Sequence, residues 1–265
     1  MARKPLSIID LFSLDQPFAT EFRRLLHRLR KHGESRETKA IMITSAMLAE
    51  GKSTIAALLA LTAARQKGLK TLLIDSDLRR PSIHKFFSTE RAPGLADTLG
   101  NGVAAADVIR KTALENLHLI TAGRATPQPA EVFDAEAIGT IIEEMKFFYD
   151  LIIVDAAPLL PVSDPLLLAA KVDGLLLVVK AGSTQREVVE RAVDMLELHR
   201  DRVLGVILNN VNNSLPYYYD YRYYGYQYPT DKPTEGSAEA GRRHWRRGSR
   251  GAAGPSKDNP IKQQH

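Results

Sequence analysis

Gly51-Lys52-Ser53-Thr54 lies between an apolar run, Ala40–Thr44, and a stretch of helical character, Ser53–Gln66. A loop that opens a helix points its backbone N–H groups outward, where they bind anionic oxygens. Gly51 lets the backbone approach a phosphate chain closely, Lys52 carries a cation to the β- and γ-phosphates of ATP, and the Ser53 hydroxyl is a ligand for Mg²⁺. Leu48, Ala49, Glu50 and Thr54 complete the stretch whose amides would surround the nucleotide. The spacing from Ala46 to Ser53 is that of a phosphate-binding P-loop, with alanine at the first glycine position. A methyl group is tolerable there if that residue keeps a negative φ. Gly-Lys-Ser alone is weak evidence; between a buried strand and a long helix it is strong.

Mg²⁺ takes oxygen ligands and keeps several waters, so it asks for a nearby carboxylate rather than a closed cage. Two apolar runs end in acids. Leu151–Val154 runs into Asp155, and Thr71–Ile74 runs into Asp75, with Asp77 two residues on. In a parallel sheet the carboxyl ends of the strands share one edge with the phosphate loop. The three carboxylates are therefore expected to converge on one metal–phosphate site. Taken singly, Asp75 or Asp77 fits a helix cap or a turn equally well.

The elements that would position these groups are legible in the hydropathy. Buried strands are expected at Ala40–Thr44, Thr71–Ile74, Leu117–Ile120, Leu151–Val154, Gly174–Val179 and Val203–Leu208. Helices are expected at Gln16–Lys31, Ser53–Gln66, Ala130–Phe148, Asp164–Lys171 and Gln185–His199. The strands are continuous apolar runs separated by helices. That pattern predicts an α/β fold with a doubly wound, mostly parallel sheet covered on both faces.

The chain of 265 residues has no cysteine, which excludes disulfides, thiolate metal sites and a cysteine nucleophile. The longest apolar runs fall far short of the ~20 residues that span a bilayer, and Asp10 and Asp15 break any secretory-signal pattern. The net charge of +5 is uneven: residues 241–265 hold seven Arg and Lys against one Asp, +6, which leaves −1 for the rest. The spacing divides the chain into an N-terminal segment, 1–16, a P-loop domain, 17–213, a tyrosine cluster, 214–228, and a basic tail, 229–265. The tail has too few aliphatic residues to offset its ordering entropy and is expected to be disordered. Its basic charge would suit anionic lipid, nucleic acid or an acidic partner, or simple solvation.

At these motifs the sequence resembles the bacterial tyrosine kinases, the cytoplasmic kinases of capsule and exopolysaccharide export within the MinD/ParA-like P-loop NTPases. Thr44–Thr54 resembles their Walker A motif, Leu72–His84 their additional acidic motif, Walker A′, and Tyr149–Pro158 their Walker B motif. Gly94–Leu99 and Pro129–Glu131 match connecting segments. The resemblance implies that Lys52 binds phosphates, that Ser53, Asp77 and Asp155 organise Mg²⁺, that Asp75, or Asp77 with it, takes the proton of an attacking tyrosine, and that Asn209 meets the adenine. It also implies a membrane-embedded co-polymerase that recruits the cytoplasmic protein to the inner face of the membrane and activates it. Ring-like self-association uses a helix motif of Glu, Arg and Arg at three-residue steps; Glu21 and Arg24 match, and His27 replaces the last arginine. The family's Pro-Gly before Glu50 is Leu48-Ala49 here.

Tyr217, Tyr218, Tyr219, Tyr221, Tyr223, Tyr224, Tyr226 and Tyr228 are eight of the nine tyrosines. A mobile cluster of this kind suits autophosphorylation in trans, and each phosphate would add ~1.5–2 negative charges. The expected result is a switch: the bare tail favours assembly and the phosphorylated tail releases it. A purely adhesive aromatic tail is the plain alternative. A partitioning or positioning ATPase of the same superfamily is the main functional rival, but its signature lysine is Met47 here, and no specific nucleic acid is expected as partner. A non-catalytic ATP-sensing regulator is the third reading, against which the intact Lys52, Asp75, Asp77 and Asp155 count.

Overall fold

The computed structural model describes residues 7–35 and 38–211, all within one compact unit, Met1–Asp220. The chain runs through α1 (Ile8–Leu11), α2 (Pro17–Ser35), β1 (Ala40–Ser45), α3 (Lys52–Lys67), β2 (Thr71–Asp75), α4 (Ile83–Phe86) and α5 (Leu95–Asn101). It continues through β3 (Ile109–Lys111), β4 (Leu117–Ile120), α6 (Pro129–Val132), α7 (Ala135–Met145), β5 (Leu151–Asp155), α8 (Asp164–Ala169), β6 (Gly174–Lys180), α9 (Arg186–Asp194) and β7 (Val203–Asn209). The seven strands form one sheet in the order β3-β4-β2-β5-β1-β6-β7. Every pairing is parallel except that of β3 with β4.

The continuous apolar runs follow from burial on both faces. Met42, Leu72, Ile74, Ile152, Val154, Leu175 and Leu177 point into one layer, and Ile41, Ile43, Leu73, Ile153, Leu176 and Val178 into the other. The second layer is built on α3. Its Ala56, Ala57, Ala60 and Ala63 are fully buried, because α3 lies between the sheet and α2. Small side chains on α3 let α2 approach, and α2 buries Phe22, Leu26 and Leu29 against it. Each such large apolar side chain contributes ~1.5–3 kcal/mol. Ser7–Phe12 closes the same layer: Arg65 of α3 donates to the carbonyls of Ile9 and Phe12, and its guanidinium lies 5.5 Å from the centroid of the Phe12 ring.

The order of β1, β2, β5 and β6 places the ends of β1, β2 and β5 side by side, with Asp75 in register with Asp155. The sequence pattern misjudges some neighbouring elements. The helix expected over Ala130–Phe148 is two helices, because Asp134 accepts hydrogen bonds from Glu136 N (2.9 Å) and Ala137 N (3.0 Å) and so starts α7 afresh. The one expected over Gln185–His199 ends at Asp194 and gives way to a 3-10 turn, Glu197–Arg202. The short antiparallel β3 and helices α1, α4 and α5 were not legible in the hydropathy. Strand β7 is the edge of the sheet and alternates in exposure, with Val206 and Leu208 about half exposed.

Candidate functional site

The phosphate loop leaves β1 at Ser45 and enters α3 at Lys52. Gly51 has φ 93°, and a Cβ there would collide with the Asn209 side-chain amide. Ala49 also stands in the left-handed region, at φ 61°, whereas Ala46 does not, as its methyl requires. Glu50 is buried and turns its carboxylate to the loop's own support: it accepts from Met47 N at 2.7 Å and from the Thr184 hydroxyl. Its carbonyl accepts from Asn209 Nδ2 at 2.8 Å. The loop is thus stapled to the β6–α9 connection and to the end of β7. Leu48 and Met47 are each 42% exposed. The Asn209 carboxamide, expected at the adenine, lies on the loop backbone, with Oδ1 accepting from Asn210 N at 2.8 Å.

Lys52 is the centre of the charge cluster. Its Nζ lies 2.9 Å from Asp77 Oδ2, 3.2 Å from Asp155 Oδ1 and 3.2 Å from Ser53 Oγ. Burial lowers the Lys52 pKa, but the charges of Asp155 and Asp77 outweigh it, and the ammonium is held above its ordinary value. Asp155 is displaced upward, because burial outweighs its ion pair with Lys52. Asp75 is pushed up to about 8, by burial first and then by the neighbouring Asp155 carboxylate. The three acids expected to converge therefore stand together around Lys52.

Among the described residues, two oxygens of this cluster, Asp75 Oδ1 and Asp155 Oδ2, are buried and find no hydrogen-bond partner. Unpartnered buried carboxylate oxygens beside a phosphate loop fit a cation. Among the described residues no group of three His, Cys, Asp or Glu forms a ready metal cage.

The loop after β2 is rigidly built. Asp75 Oδ2 accepts from Ser82 N and Ile83 N, each at 3.1 Å, and Asp77 Oδ1 accepts from Arg80 N at 2.9 Å. Ser76 donates through N and Oγ to the Asp155 carbonyl, both at 2.9 Å. The sequence reading missed Thr184 and the pairing of Arg79, which lies within Leu72–His84, with Asp164; neither contact carries a local pattern, since each acts across the fold. Gly94–Leu99 is structural: Asp97 Oδ2 accepts from Gly94 N (2.8 Å) and Arg124 N (3.1 Å), and a Cβ at Gly94 would strike the Thr121 carbonyl.

Away from the loop, Glu21 and Arg24 pair with each other at 2.6 Å on α2, and His27 is exposed one turn on. Tyr149 is buried, with its hydroxyl 2.7 Å from His118 Nδ1. The eight expected phosphoacceptors, Tyr217 to Tyr228, lie outside the described residues. Among the described residues no helix is long and apolar enough to cross a membrane.

Fold and loop together define a P-loop nucleotide-binding protein of the ParA/MinD-like class. Residues 36–218 match a family model described as ParA, NUBPL iron-transfer P-loop NTPase. The tyrosine-protein kinase YwqD of Bacillus subtilis is 33% identical over 225 residues, covering 85% of this chain and 92% of its own. The tyrosine-protein kinase CpsD of Streptococcus agalactiae is 37% identical over 191 residues, covering 72% and 83%. The kinase domain of the Escherichia coli tyrosine kinase ETK superposes with a TM-score of 0.73 at 29% identity, covering 79% and 82%. Within the P-loop class, this chain belongs to the bacterial tyrosine kinase family.

Proposed function

We propose that this protein is an ATP-dependent tyrosine autokinase that phosphorylates its C-terminal tyrosine cluster in trans and thereby regulates polysaccharide synthesis and export. The observation that carries the reading is Lys52 at the start of α3, held between Asp77 and Asp155 with Asp75 alongside, in a chain with eight tyrosines clustered between Tyr217 and Tyr228.

The loop amides and Lys52 bind the β- and γ-phosphates. Ser53, Asp77 and Asp155 would hold Mg²⁺, and Asn209 shapes the loop wall on the adenine side. A bound Mg²⁺ would supply neutralisation of the charge that develops on the phosphates. The acceptor phenol oxygen bonds to the γ-phosphorus, the bond to the β–γ bridging oxygen breaks, and ADP leaves. The phenolic proton passes to a carboxylate, Asp75 in this reading or Asp77 beside it. Burial and the Asp155 carboxylate push the Asp75 pKa up to about 8 in the metal-free cluster. The positive charge of a loaded site would favour its ionised form and so its role as base. Positioning and electrostatics account for most of such a reaction, so these few groups suffice.

Kinship supports a membrane-embedded co-polymerase as the recruiting and activating partner, and assembly through the Glu21–Arg24 face of α2. It also supports a location at the inner face of the membrane. The test is mass spectrometry of the purified protein after incubation with ATP and Mg²⁺, beside Lys52→Met. Phosphate on Tyr217–Tyr228 in the wild type alone is the expected result, with the variant at least ~100-fold lower for loss of one transition-state cation. ATP consumption with unmodified tyrosines would instead point to a partitioning-type ATPase.

A further inference from the structure

We infer that Arg79 and Asp164 form a latch that keeps Asp77 aimed at the metal–phosphate site while Lys52 changes partners. The inference rests on the kinase reading for the reaction it serves. Both are positioning residues, since neither touches the reacting atoms.

Among the described residues Asp77 has two partners, Lys52 Nζ and Arg80 N, each at 2.9 Å. A triphosphate competes for the same ammonium. Once Lys52 turns to the phosphates, the Arg80 amide alone is left to orient the Asp77 carboxylate. The position of that amide depends on the turn after β2. One end of the turn is fixed by Ser76 on the Asp155 carbonyl and the other by Ser82 and Ile83 on Asp75. Between these ends, Arg79 reaches a different segment. Its Nε lies 3.1 Å from Asp164 Oδ2 and its Nη2 3.4 Å from Asp164 Oδ1, a two-point fork that fixes direction as well as distance.

Asp164 is the first residue of α8, and the segment before it is fastened to the phosphate-loop strand. Leu159 N donates to Ser45 O at 2.8 Å, Leu160 N to Ala46 O at 3.2 Å, and Thr44 Oγ1 to Ala157 O at 2.7 Å. The latch therefore connects the Asp77 turn to the phosphate loop by a route that does not pass through Lys52. Its acid is well shielded, with the Asp164 side chain 10% exposed and that of Arg79 34%. A solvent-washed surface pair would not hold a fixed geometry so well.

The test compares wild type, Arg79→Gln, Asp164→Asn and Arg79→Lys by titrating ADP binding with and without Mg²⁺. Loss of the latch should raise the Mg²⁺ concentration at half-effect roughly tenfold, the low end for a group that orients a metal ligand. ADP affinity without metal should stay unchanged, which also reports that each variant is folded. Arg79→Lys should recover part of the effect, because it keeps the charge and loses the fork. Hydrogen exchange of the amides of residues 78–83 should rise in the two neutral variants. An unchanged Mg²⁺ midpoint, or equal weakening of ADP binding with and without metal, would overturn the latch. None of these readouts requires phosphoryl transfer, so a wild type that binds Mg²⁺ and ADP but never labels its tyrosines would defeat the kinase reading separately.

Discussion

Asp75 and Asp155 face each other across β2 and β5, fully buried, each with one oxygen lacking a partner. Two carboxylates so placed cannot both ionise cheaply without a cation between them. The Asp75 pKa rises from 3.8 to about 8 on folding. Between those values the native state binds more protons at this group than the unfolded chain, so this contribution to stability falls as pH rises from about 4 to about 8. Asp155, also displaced upward, adds to the same trend, while His84 and His118, displaced downward chiefly by burial, oppose it. Asp75→Asn keeps an acceptor for Ser82 N and Ile83 N and removes the titration. Thermal unfolding of the metal-free proteins at pH 5 and pH 8 should show the variant gaining on wild type at the higher pH. A gain that does not grow with pH would contradict the assignment.

At the scale of elements, the sheet was the most legible part of the sequence. Its strands are apolar without interruption because both faces are covered, and two of them end in acids where the phosphate loop also ends. Lys52, Asp75, Asp77 and Asp155 could be placed together from that rule alone. Side-chain contacts between distant segments could not. Glu50 with Thr184 and Arg79 with Asp164 are 134 and 85 residues apart, and no local period encodes them. Helix breaks were missed where the signal is one polar residue. Asp134 is such a case: it accepts two amides and separates α6 from α7. Asp134→Ala should therefore cost about 1 kcal/mol of stability, within the range for a lost N-cap. It should leave ADP binding unchanged, because α7 packs against α8 and supplies none of the residues that hold the phosphate loop. Chemical denaturation with a parallel ADP titration checks both halves of that expectation.

At the scale of the whole molecule, the chain passes from the last strand into the tyrosine cluster with little between. Asn209 ends β7, Tyr217 is eight residues beyond it and Tyr228 nineteen. The same Asn209 donates to the phosphate-loop carbonyl of Glu50 at 2.8 Å. In sequence, the tyrosine cluster thus follows closely on a residue that holds the phosphate loop. Eight residues stretch to about 28 Å at most and nineteen to about 66 Å. If transfer runs between copies, as the kinase reading holds, the short tether restrains Tyr217 far more than Tyr228. Time-resolved peptide mapping should then find phosphate at the Tyr228 end before the Tyr217 end. Inserting a flexible Gly-Ser stretch after Asn213 should narrow that lag. Distance in sequence from Asn209 would in this way act as a clock, setting the order of modification.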